Sequence, residues 1–402
     1  MSFTEIPGGV TAPRGFLAGS AFCGIKEGNA GRHDLALIYS ESAAVAAGTF
    51  TTNRIKAAPV RVSLVHVRSP DVRAIVANAG NANACTGVSG IENAKRMAQA
   101  AAKALGVRDR QVLVCSTGRI GVPLPIEKME ATIATLPSAC SATGSTAAAR
   151  AIMTSDTFSK EIAIEMELDG SPVRIGGIAK GAGMIDPNMA TMLCFLTTDA
   201  VIDRKLLQRA LSVSVESSFN RITIDGDMST NDTVLVLANS AAGHAPVRYG
   251  SAACKAFQLG LDHVTKHLAR MIVEDGEGVT KFVEVHIHGG ASLSDARRAA
   301  EAVANSNLVK CAWFGNDPNW GRIMDAVGYS GCKVREELID IYYDGVLAVK
   351  GGLASKTPVA KLREIVAAKK FTITIDLHVG KADYVVFTTD LSTDYVKLNM
   401  GE

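Results

Sequence analysis

Short apolar runs alternate with longer segments of helical periodicity along most of this sequence. Runs of about four to eight apolar residues between polar or glycine-rich stretches are typical of buried strands. Strands are predicted at residues 34–39, 46–50, 72–78, 111–115, 161–168, 192–196, 233–238, 281–288 and 337–342. Helices are predicted at residues 91–105, 126–136, 203–217 and 252–274. Because helices and strands alternate throughout, the sequence predicts an α/β or α+β fold.

A glycine-rich loop runs directly into one of the predicted strands. Residues 180–200 read KGAGMIDPNMATMLCFLTTDA. The glycines and Pro187 favour turns, whereas the apolar run 192–196 favours an interior strand. Thr191 lies at the boundary between the loop and the strand, where cutting the chain would expose it.

Cleavage between Ala190 and Thr191 would turn this threonine into a nucleophile. Inside a chain its hydroxyl has no adjacent base, because an amide nitrogen is not basic. A free α-amino group has a pKa of about 8, so at neutral pH it can accept the proton of its own residue's hydroxyl. The sequence therefore suggests a self-cleaving protein with an N-terminal threonine nucleophile.

Composition and charge narrow the class of protein. The 402 residues include 42 Lys and Arg against 40 Asp and Glu, a net charge of +2, and no long basic run, so nucleic acid is not an expected partner. The N-terminus MSFTEIPGGV resembles neither a secretory signal nor a membrane span, so a cytoplasmic location is expected. The eight cysteines include no CxxC pair and the histidines lack completing ligands, so no metal is expected.

Six further motifs, together with the loop at 180–200, span nearly the whole chain. They are NANACTG (Asn81–Gly87), CSTGRIG (Cys115–Gly121), IMTSDT (Ile152–Thr157), SFNRITIDGDMSTNDT (Ser218–Thr233), DGEGVTK (Asp275–Lys281) and FGNDPNWGRI (Phe314–Ile323). Each is similar to a motif of the ornithine acetyltransferases, and they occur in the order of that family. The loop resembles the family's self-cleavage site, so residues 180–191 are named the cleavage loop below.

The resemblance implies a fold and a division of the chain. The fold would be an αββα layered sandwich, similar to N-terminal nucleophile hydrolases in architecture but different in connectivity. Self-cleavage would give an α chain of residues 1–190 and a β chain of residues 191–402 that remain associated. Two α and two β chains would form a heterotetramer.

The resemblance also implies a reaction of arginine biosynthesis. As a glutamate N-acetyltransferase, the protein would move an acetyl group from N2-acetylornithine to glutamate through an acetyl-threonine intermediate in a ping-pong mechanism. One amide replaces another, so no cofactor is required. Some members of the family also accept acetyl-CoA, and the sequence leaves open whether this chain does.

The resemblance assigns roles to particular residues. Thr117 and Gly118 would form the oxyanion hole, because acyl transfer needs hydrogen-bond donors where negative charge develops. Zwitterionic substrates need partners of opposite charge. The implied substrate contacts are Thr154, Lys180, Thr191, Glu277 and Asn399.

The sequence departs from the family pattern at two places. Family chains usually continue past the position of Asn399 to a tyrosine and a hydroxyl residue, whereas this sequence ends Met400, Gly401, Glu402. The last substrate contact is therefore expected to differ. Asp186 replaces a small residue in the cleavage loop, which should not prevent cleavage.

Three other interpretations stay open at this point. An aminopeptidase of similar fold would also cleave itself, usually before a serine, and would transfer its acyl group to water. A non-enzymatic relative would keep the bond between Ala190 and Thr191. A phosphate-binding enzyme is disfavoured, because GGIAKGAG matches neither GxxxxGK followed by Ser or Thr nor GxGxxG.

Overall fold

The apolar runs of the sequence form the strands of two separate units. The computed structural model describes residues 3–26, 31–186 and 192–400. Unit 1 takes its described residues from the ranges 1–181, 188–220 and 228–272, and unit 2 takes its own from 182–187, 221–227 and 273–402. This division differs from a covalent division after Ala190, which stays a prediction.

Unit 1 is built on a nine-stranded sheet system against which its helices pack. Its strands are β1 (Phe3–Ile6), β2 (Phe16–Ala21), β3 (Leu35–Phe50), β4 (Val72–Asn81), β5 (Val112–Arg119), β6 (Lys160–Leu168), β7 (Ser171–Lys180), β8 (Leu193–Thr198) and β9 (Thr233–Ala238). Its helices are α1 (Ala58–His66), α2 (Gly87–Leu105), α3 (Ile126–Ile133), α4 (Ser145–Ala151), α5 (Arg204–Glu216) and α6 (Ala252–Glu274), the last of which ends in unit 2.

Strand β3 belongs to two sheets at once. Residues 35–40 pair with β2, and most of the same stretch pairs with β4, which is parallel to β5. Residues 45–50 pair instead with β9, which continues through β8, β7 and β6 to β1. The two halves of this 16-residue strand thus join two sheets.

Alternation of side chains along β3 places one sheet against the other. Ala36 and Ile38 share a buried cluster with Phe195 of β8, which fills the space between the sheets. Leu35 and Leu37 point to the opposite face, because successive side chains on a strand alternate. There they pack with helices α1, α2 and α3.

Helix α6 covers the outer face of the second sheet. A Cβ built on Gly177 of β7 would lie 2.9 Å from Leu268 Cδ1 of α6, so glycine lets the helix approach closely. Unit 1 is therefore layered as helices, sheet, sheet and helix. The predicted αββα layering is confirmed.

Unit 2 has a six-stranded sheet of order β13, β12, β11, β14, β10, β15. Its strands are β10 (Phe282–Gly290), β11 (Asp340–Tyr343), β12 (Val346–Lys350), β13 (Leu353–Ala354), β14 (Lys370–Asp376) and β15 (Ala382–Thr389). Its helices are α7 (Leu293–Asn305), α8 (Asn307–Phe314), α9 (Trp320–Tyr329), α10 (Val359–Ala367) and α11 (Thr393–Leu398). Apolar side chains of α7 to α10 and of the sheet form one core, in which Trp313 meets Phe371 edge to face.

Some of the helices and strands predicted from the sequence are present in the structure, and others differ. The helix predicted at 252–274 and the strands predicted at 72–78 and 233–238 are confirmed. The strands predicted at 34–39 and 46–50 are both present from Leu35 onward, but they are parts of one strand, because β3 is continuous through the exposed polar residues Glu41 and Ser42. Strand β7 and helices α7 to α9 were not predicted.

The cleavage loop connects neighbouring antiparallel strands. Lys180 at the end of β7 pairs with Leu193 at the start of β8, and six residue pairs join the two strands. Segments on both sides of the predicted cleavage site are therefore held in one sheet by backbone hydrogen bonds. Such pairing does not depend on the peptide bond between them.

Two kinds of feature are absent from the described ranges. There, no helix is long and apolar enough to cross a membrane. Nor does any group of three His, Cys, Asp or Glu side chains in that part of the chain form a set of metal ligands.

A fully buried lysine ties α8 to the end of β15. Nζ of Lys310 donates to Oγ1 of Thr388 at 3.0 Å and to the carbonyl oxygen of Thr389 at 2.5 Å. Burial lowers the pKa of Lys310 to about 7, although Asp390 and Asp225 oppose this shift. The C-terminal segment leaves the sheet directly after this anchor.

Stability should depend on pH through Lys310. The unfolded chain keeps an ordinary lysine pKa of about 10.4, so between pH 7 and that value it binds more protons than the folded chain. The free energy of unfolding should therefore rise with pH across this range, and fall as pH decreases toward 7. Urea unfolding at several pH values should show this rise in the wild-type protein and a smaller one in Lys310→Met. The exposed Lys361→Met is the control, and equal pH dependence in all three proteins would contradict the assignment.

Candidate active site

The end of strand β5 places an exposed glycine beside a buried threonine. Thr117 is 3% exposed and pairs with Ala79 of β4, and Gly118 pairs with Gly80. Gly118 has φ of 129°, and a Cβ there would lie 2.3 Å from the carbonyl carbon of Gly80, so only glycine fits. A hydroxyl-bearing residue and an unobstructed backbone unit thus adjoin at one strand end. This geometry suits an oxyanion hole.

A buried aspartate organises the polar groups at the start of the cleavage loop. Oδ1 of Asp156 accepts hydrogen bonds from Nζ of Lys160 and from the amide of Gly181, both at 2.7 Å. Its Oδ2 accepts from the amide of Thr154 at 2.9 Å and lies 3.8 Å from Nζ of Lys180. Lys180 in turn donates to Oγ1 of Thr154 at 2.6 Å. The predicted substrate contacts Thr154 and Lys180 are therefore direct neighbours.

Two ammonium groups lie beside the buried carboxylate of Asp156. The side chains of Asp156 and Lys160 are fully buried, and that of Lys180 is 3% exposed. Burial alone would raise the pKa of Asp156, but Lys180 and Lys160 hold it well below its ordinary value. This carboxylate thus has two ammonium neighbours, and an ammonium group such as that of Lys180 is a suitable partner for the carboxylate of an amino acid.

Lys26 adds another positive charge to this part of unit 1. Its Nζ donates to the carbonyl oxygen of Met153 at 2.5 Å, next to Thr154 in sequence. Burial lowers the pKa of Lys26, Asp34 opposes the shift, and Lys180 contributes to it. Neither Lys26 nor Asp156 was singled out from the sequence. Asp156 lay within the motif IMTSDT and could have been found there, whereas Lys26 lay in no motif.

Glu277 and Asn399 lie together in unit 2. Nδ2 of Asn399 donates to Oε2 of Glu277 at 3.0 Å. The amide of Glu277 donates to the carbonyl oxygen of Ala182 at 2.9 Å. A Cβ built on Gly183 would lie 2.5 Å from the Glu277 carboxylate, so the glycine leaves room for this close approach. The carboxylate thus lies against the first residues of the cleavage loop.

The segment after β15 fixes the loop that carries Glu277. Asp390 accepts hydrogen bonds from the amides of Thr280 and Lys281, both at 3.0 Å, and from the hydroxyl of Thr280. Oγ of Ser392 donates to the carbonyl oxygen of Gly278 at 2.5 Å. The sequence did not identify these contacts, because their partners are more than 100 positions apart.

Ala190 and Thr191 lie outside the described residues, but the next residue does not. The amide of Met192 donates to Oδ1 of Asp232 at 2.9 Å, and its carbonyl oxygen accepts from the amide of Thr233 at 3.1 Å. Both amide and carbonyl of Met192 are therefore fixed at the entrance to β8.

Asp186 has an unusual environment in the cleavage loop. Burial raises its pKa to about 7, a hydrogen bond from Asn305 opposes the shift, and Glu301, Asp225 and Asp227 add to it. Nδ2 of Asn305 lies 3.2 Å from Oδ1 of Asp186. An aspartate here therefore keeps its proton more readily than an exposed one.

The described site residues fall into three pairs: Thr117 with Gly118 and Thr154 with Lys180 in unit 1, and Glu277 with Asn399 in unit 2. Donors for an oxyanion, a cation beside a hydroxyl and a carboxylate with an amide are groups suited to acyl transfer between amino acids. The fold and these groups thus define a layered α/β protein of the acyl-transferase type.

Comparison with known proteins places this chain in a family. The model of the ArgJ family matches residues 17–401. The Arginine biosynthesis bifunctional protein ArgJ of Symbiobacterium thermophilum is 48% identical, over 98% of each chain. The Glutamate N-acetyltransferase of Methanocaldococcus jannaschii is 46% identical, also over 98% of each chain. This chain therefore belongs to the ArgJ family.

A solved structure agrees with this assignment. The Arginine biosynthesis bifunctional protein ArgJ from Bacillus halodurans is 39% identical with a TM-score of 0.50. The match covers 98% of that chain but 52% of this one.

Removing the charge of Asp156 should destabilise the fold. In Asp156→Asn the ammonium groups of Lys160 and Lys180 lose their buried counterion, which typically costs about 3–5 kcal/mol. Urea unfolding should show this loss. Glu167→Gln, an exposed carboxylate on the same strand as Lys160, should change stability by less than about 0.5 kcal/mol. Equal effects of the two substitutions would refute the role given to Asp156.

Proposed function

We propose that this protein is a glutamate N-acetyltransferase that transfers the acetyl group of N2-acetylornithine to glutamate. The observation that carries the proposal is the contact of Lys180 with Thr154 beside Asp156, at the start of the cleavage loop. The relative from Methanocaldococcus jannaschii bears the name of this activity. The relative from Symbiobacterium thermophilum is named for arginine biosynthesis.

In the first half of the reaction, Thr191 takes the acetyl group. Its Oγ1 attacks the acetyl carbonyl carbon while its free α-amino group accepts the hydroxyl proton. Thr117 and the amide of Gly118 stabilise the negative oxygen of the tetrahedral intermediate. The bond from carbon to the ornithine nitrogen then breaks, the proton passes to that nitrogen, and ornithine leaves.

In the second half, glutamate takes the acetyl group from the ester. Its amine attacks the ester carbonyl carbon, the bond to Oγ1 of Thr191 breaks, and the amine proton returns to that oxygen through the α-amino group. N-acetylglutamate leaves. N2-acetylornithine and glutamate both carry an α-carboxylate next to the α-nitrogen, so one pocket can bind both substrates.

The charged residues supply the substrate contacts of this proposal. Lys180 binds the substrate carboxylate, and the hydroxyl of Thr154 adds a hydrogen bond. Glu277, together with Asn399, binds a positively charged group of ornithine. The contact of Lys180 with Thr154 beside Asp156 and the position of Glu277 against Gly183 support these roles.

Self-cleavage between Ala190 and Thr191 is part of the same proposal. In support, nearly all of the solved Bacillus halodurans chain matches 52% of this chain, which is about 209 residues, a length close to the 212 residues of 191–402. The pairing of β7 with β8 gives the two products a common sheet. We further propose a cytoplasmic heterotetramer of two α and two β chains.

Cleavage and activity can be tested together. The mass of the purified wild-type protein should correspond to two fragments that meet at Ala190 and Thr191, and the protein should form N-acetylglutamate from N2-acetylornithine and glutamate. Thr191→Ala should remain one inactive chain. An uncut wild-type chain that transfers acetyl groups would refute the N-terminal nucleophile.

The acetyl acceptor and the acetyl donor that the protein uses distinguish acetyl transfer to glutamate from related activities. Release of free acetate instead of N-acetylglutamate would favour the self-cleaving aminopeptidase, because water would then be the acceptor. Replacing N2-acetylornithine by acetyl-CoA in the same assay decides whether the chain also uses that donor.

Loss of the Thr117 hydroxyl should affect the chemical step. Thr117→Val keeps the shape of the side chain but removes a donor to the oxyanion, which typically lowers kcat by about 10²–10³. KM for N2-acetylornithine should change by less than about twofold, since the ground state makes little use of this donor. Steady-state kinetics measure both, with the exposed Thr135→Val as control. A rise in KM with unchanged kcat would exclude the oxyanion role.

A further inference from the structure

The motif Ser218–Thr233 has no role in the acetyl transfer described above. Two of its aspartates accept hydrogen bonds from backbone amides on opposite sides of the predicted scissile bond. One is Asp225 in unit 2, and the other is Asp232 in unit 1.

Asp225 holds the chain before the scissile bond. Its Oδ2 accepts from the amide of Met184 at 2.6 Å, and its Oδ1 accepts from the amide of Ile185 at 2.8 Å. Burial raises the pKa of Asp225, while these amides and that of Asp227 oppose the shift. One carboxylate thus fixes two consecutive residues of the cleavage loop.

Ile185 is anchored at its carbonyl group as well. Its oxygen accepts from the amide of Ile224 at 2.8 Å and from the hydroxyl of Thr223 at 3.1 Å, and its side chain is fully buried. The motif therefore binds both the amide and the carbonyl oxygen of Ile185. Five positions separate it from Ala190.

Asp232 holds the chain after the scissile bond. It is fully buried, and its Oδ1 accepts from the amide of Met192, the residue that follows Thr191. The amide of the next motif residue, Thr233, binds the carbonyl oxygen of Met192. The position of Met192 is thus set by one end of the motif, as that of Ile185 is set by its middle.

We propose that Asp225 and Asp232 are positioning residues for self-cleavage, a role that rests on the cleavage proposed above. In that step Oγ1 of Thr191 attacks the carbonyl carbon of Ala190, the peptide bond breaks, and the hydroxyl proton passes to the nitrogen of Thr191. Water then hydrolyses the resulting ester, which frees the hydroxyl and leaves a carboxylate on Ala190.

Fixed anchors matter because the attacking and attacked atoms must approach to about 3–3.5 Å, and a misplacement of about 1 Å can cost 10²-fold in rate. An asparagine at position 225 offers one acceptor oxygen and one NH₂ donor. Its oxygen could accept from only one of the amides of Met184 and Ile185. The other amide would then face the NH₂ group, which is also a donor.

Tyr395 of helix α11 extends the Asp225 contact toward the C-terminal segment. Its hydroxyl donates to Oδ2 of Asp225 at 3.3 Å. Burial raises the pKa of Tyr395, and Asp225 adds to the shift, so this hydroxyl stays protonated as a donor. Removing it should weaken the anchor without removing the carboxylate.

The test follows newly made precursor in a cell-free translation with a short pulse of labelled amino acid. Asp225→Asn and Asp232→Asn should each lower the first-order rate at which the two fragments appear by about tenfold or more. Asp227→Asn is the matched control, because it removes a neighbouring, exposed charge of the same motif. It should be cleaved within about twofold of the wild-type rate.

A second set of measurements separates positioning from stability. Once cleaved, the slow variants should have kcat and KM within about twofold of wild type, and thermal unfolding should show that the precursors are folded. A merely structural role would instead lower stability and leave the rate for folded precursor unchanged. If Asp225→Asn does not fold, Tyr395→Phe should still slow cleavage measurably.

The outcomes distinguish this proposal from the one on which it rests. If wild-type chain is never cut, the self-cleavage proposal fails. If wild type is cut and Asp225→Asn, Asp232→Asn and Tyr395→Phe are cut at the same rate, only the positioning role is overturned.

Discussion

The buried carboxylate of Asp156 is the interaction on which the candidate site depends. It is the counterion for two buried ammonium groups and also accepts the amide that begins the cleavage loop. Without it, Lys160 and Lys180 would lose this buried counterion, and removing one partner of a buried ion pair is strongly destabilising. The ion pair with Asp156 therefore holds Lys180 beside Thr154. The same contact that stabilises the folded chain also places these two residues for substrate binding.

Carboxylates that accept backbone amides recur wherever this chain must hold an irregular segment. Asp390 holds the loop of Glu277, Asp225 holds Met184 and Ile185, and Asp232 holds Met192. Loops lack the ladders that satisfy backbone groups in sheets, so buried loop amides need side-chain acceptors. In this protein those acceptors fix the loop of Glu277 and residues on both sides of the predicted scissile bond.

The sheet of unit 1 explains how the protein could tolerate a cut. Strands β7 and β8 are neighbours, and each is fully or largely buried between layers. Their hydrogen bonds and apolar packing hold both segments independently of the loop. The same arrangement places the loop at a strand end, where backbone groups can be presented without disturbing the core.

Periodicity and motifs in the sequence determined the α/β class, helix α6 and the order of chemically important segments, because these are local properties of the chain. Resemblance in those motifs also indicated Thr154 and Lys180 before their contact was visible. Only the tertiary structure decided that β3 bends between two sheets, since exposed Glu41 and Ser42 interrupt the apolar pattern that marks a strand. Likewise, the roles of Asp156, Asp225 and Asp390 depend on their burial and on amides that are distant in sequence. Neither property can be predicted from the residues next to them in the chain.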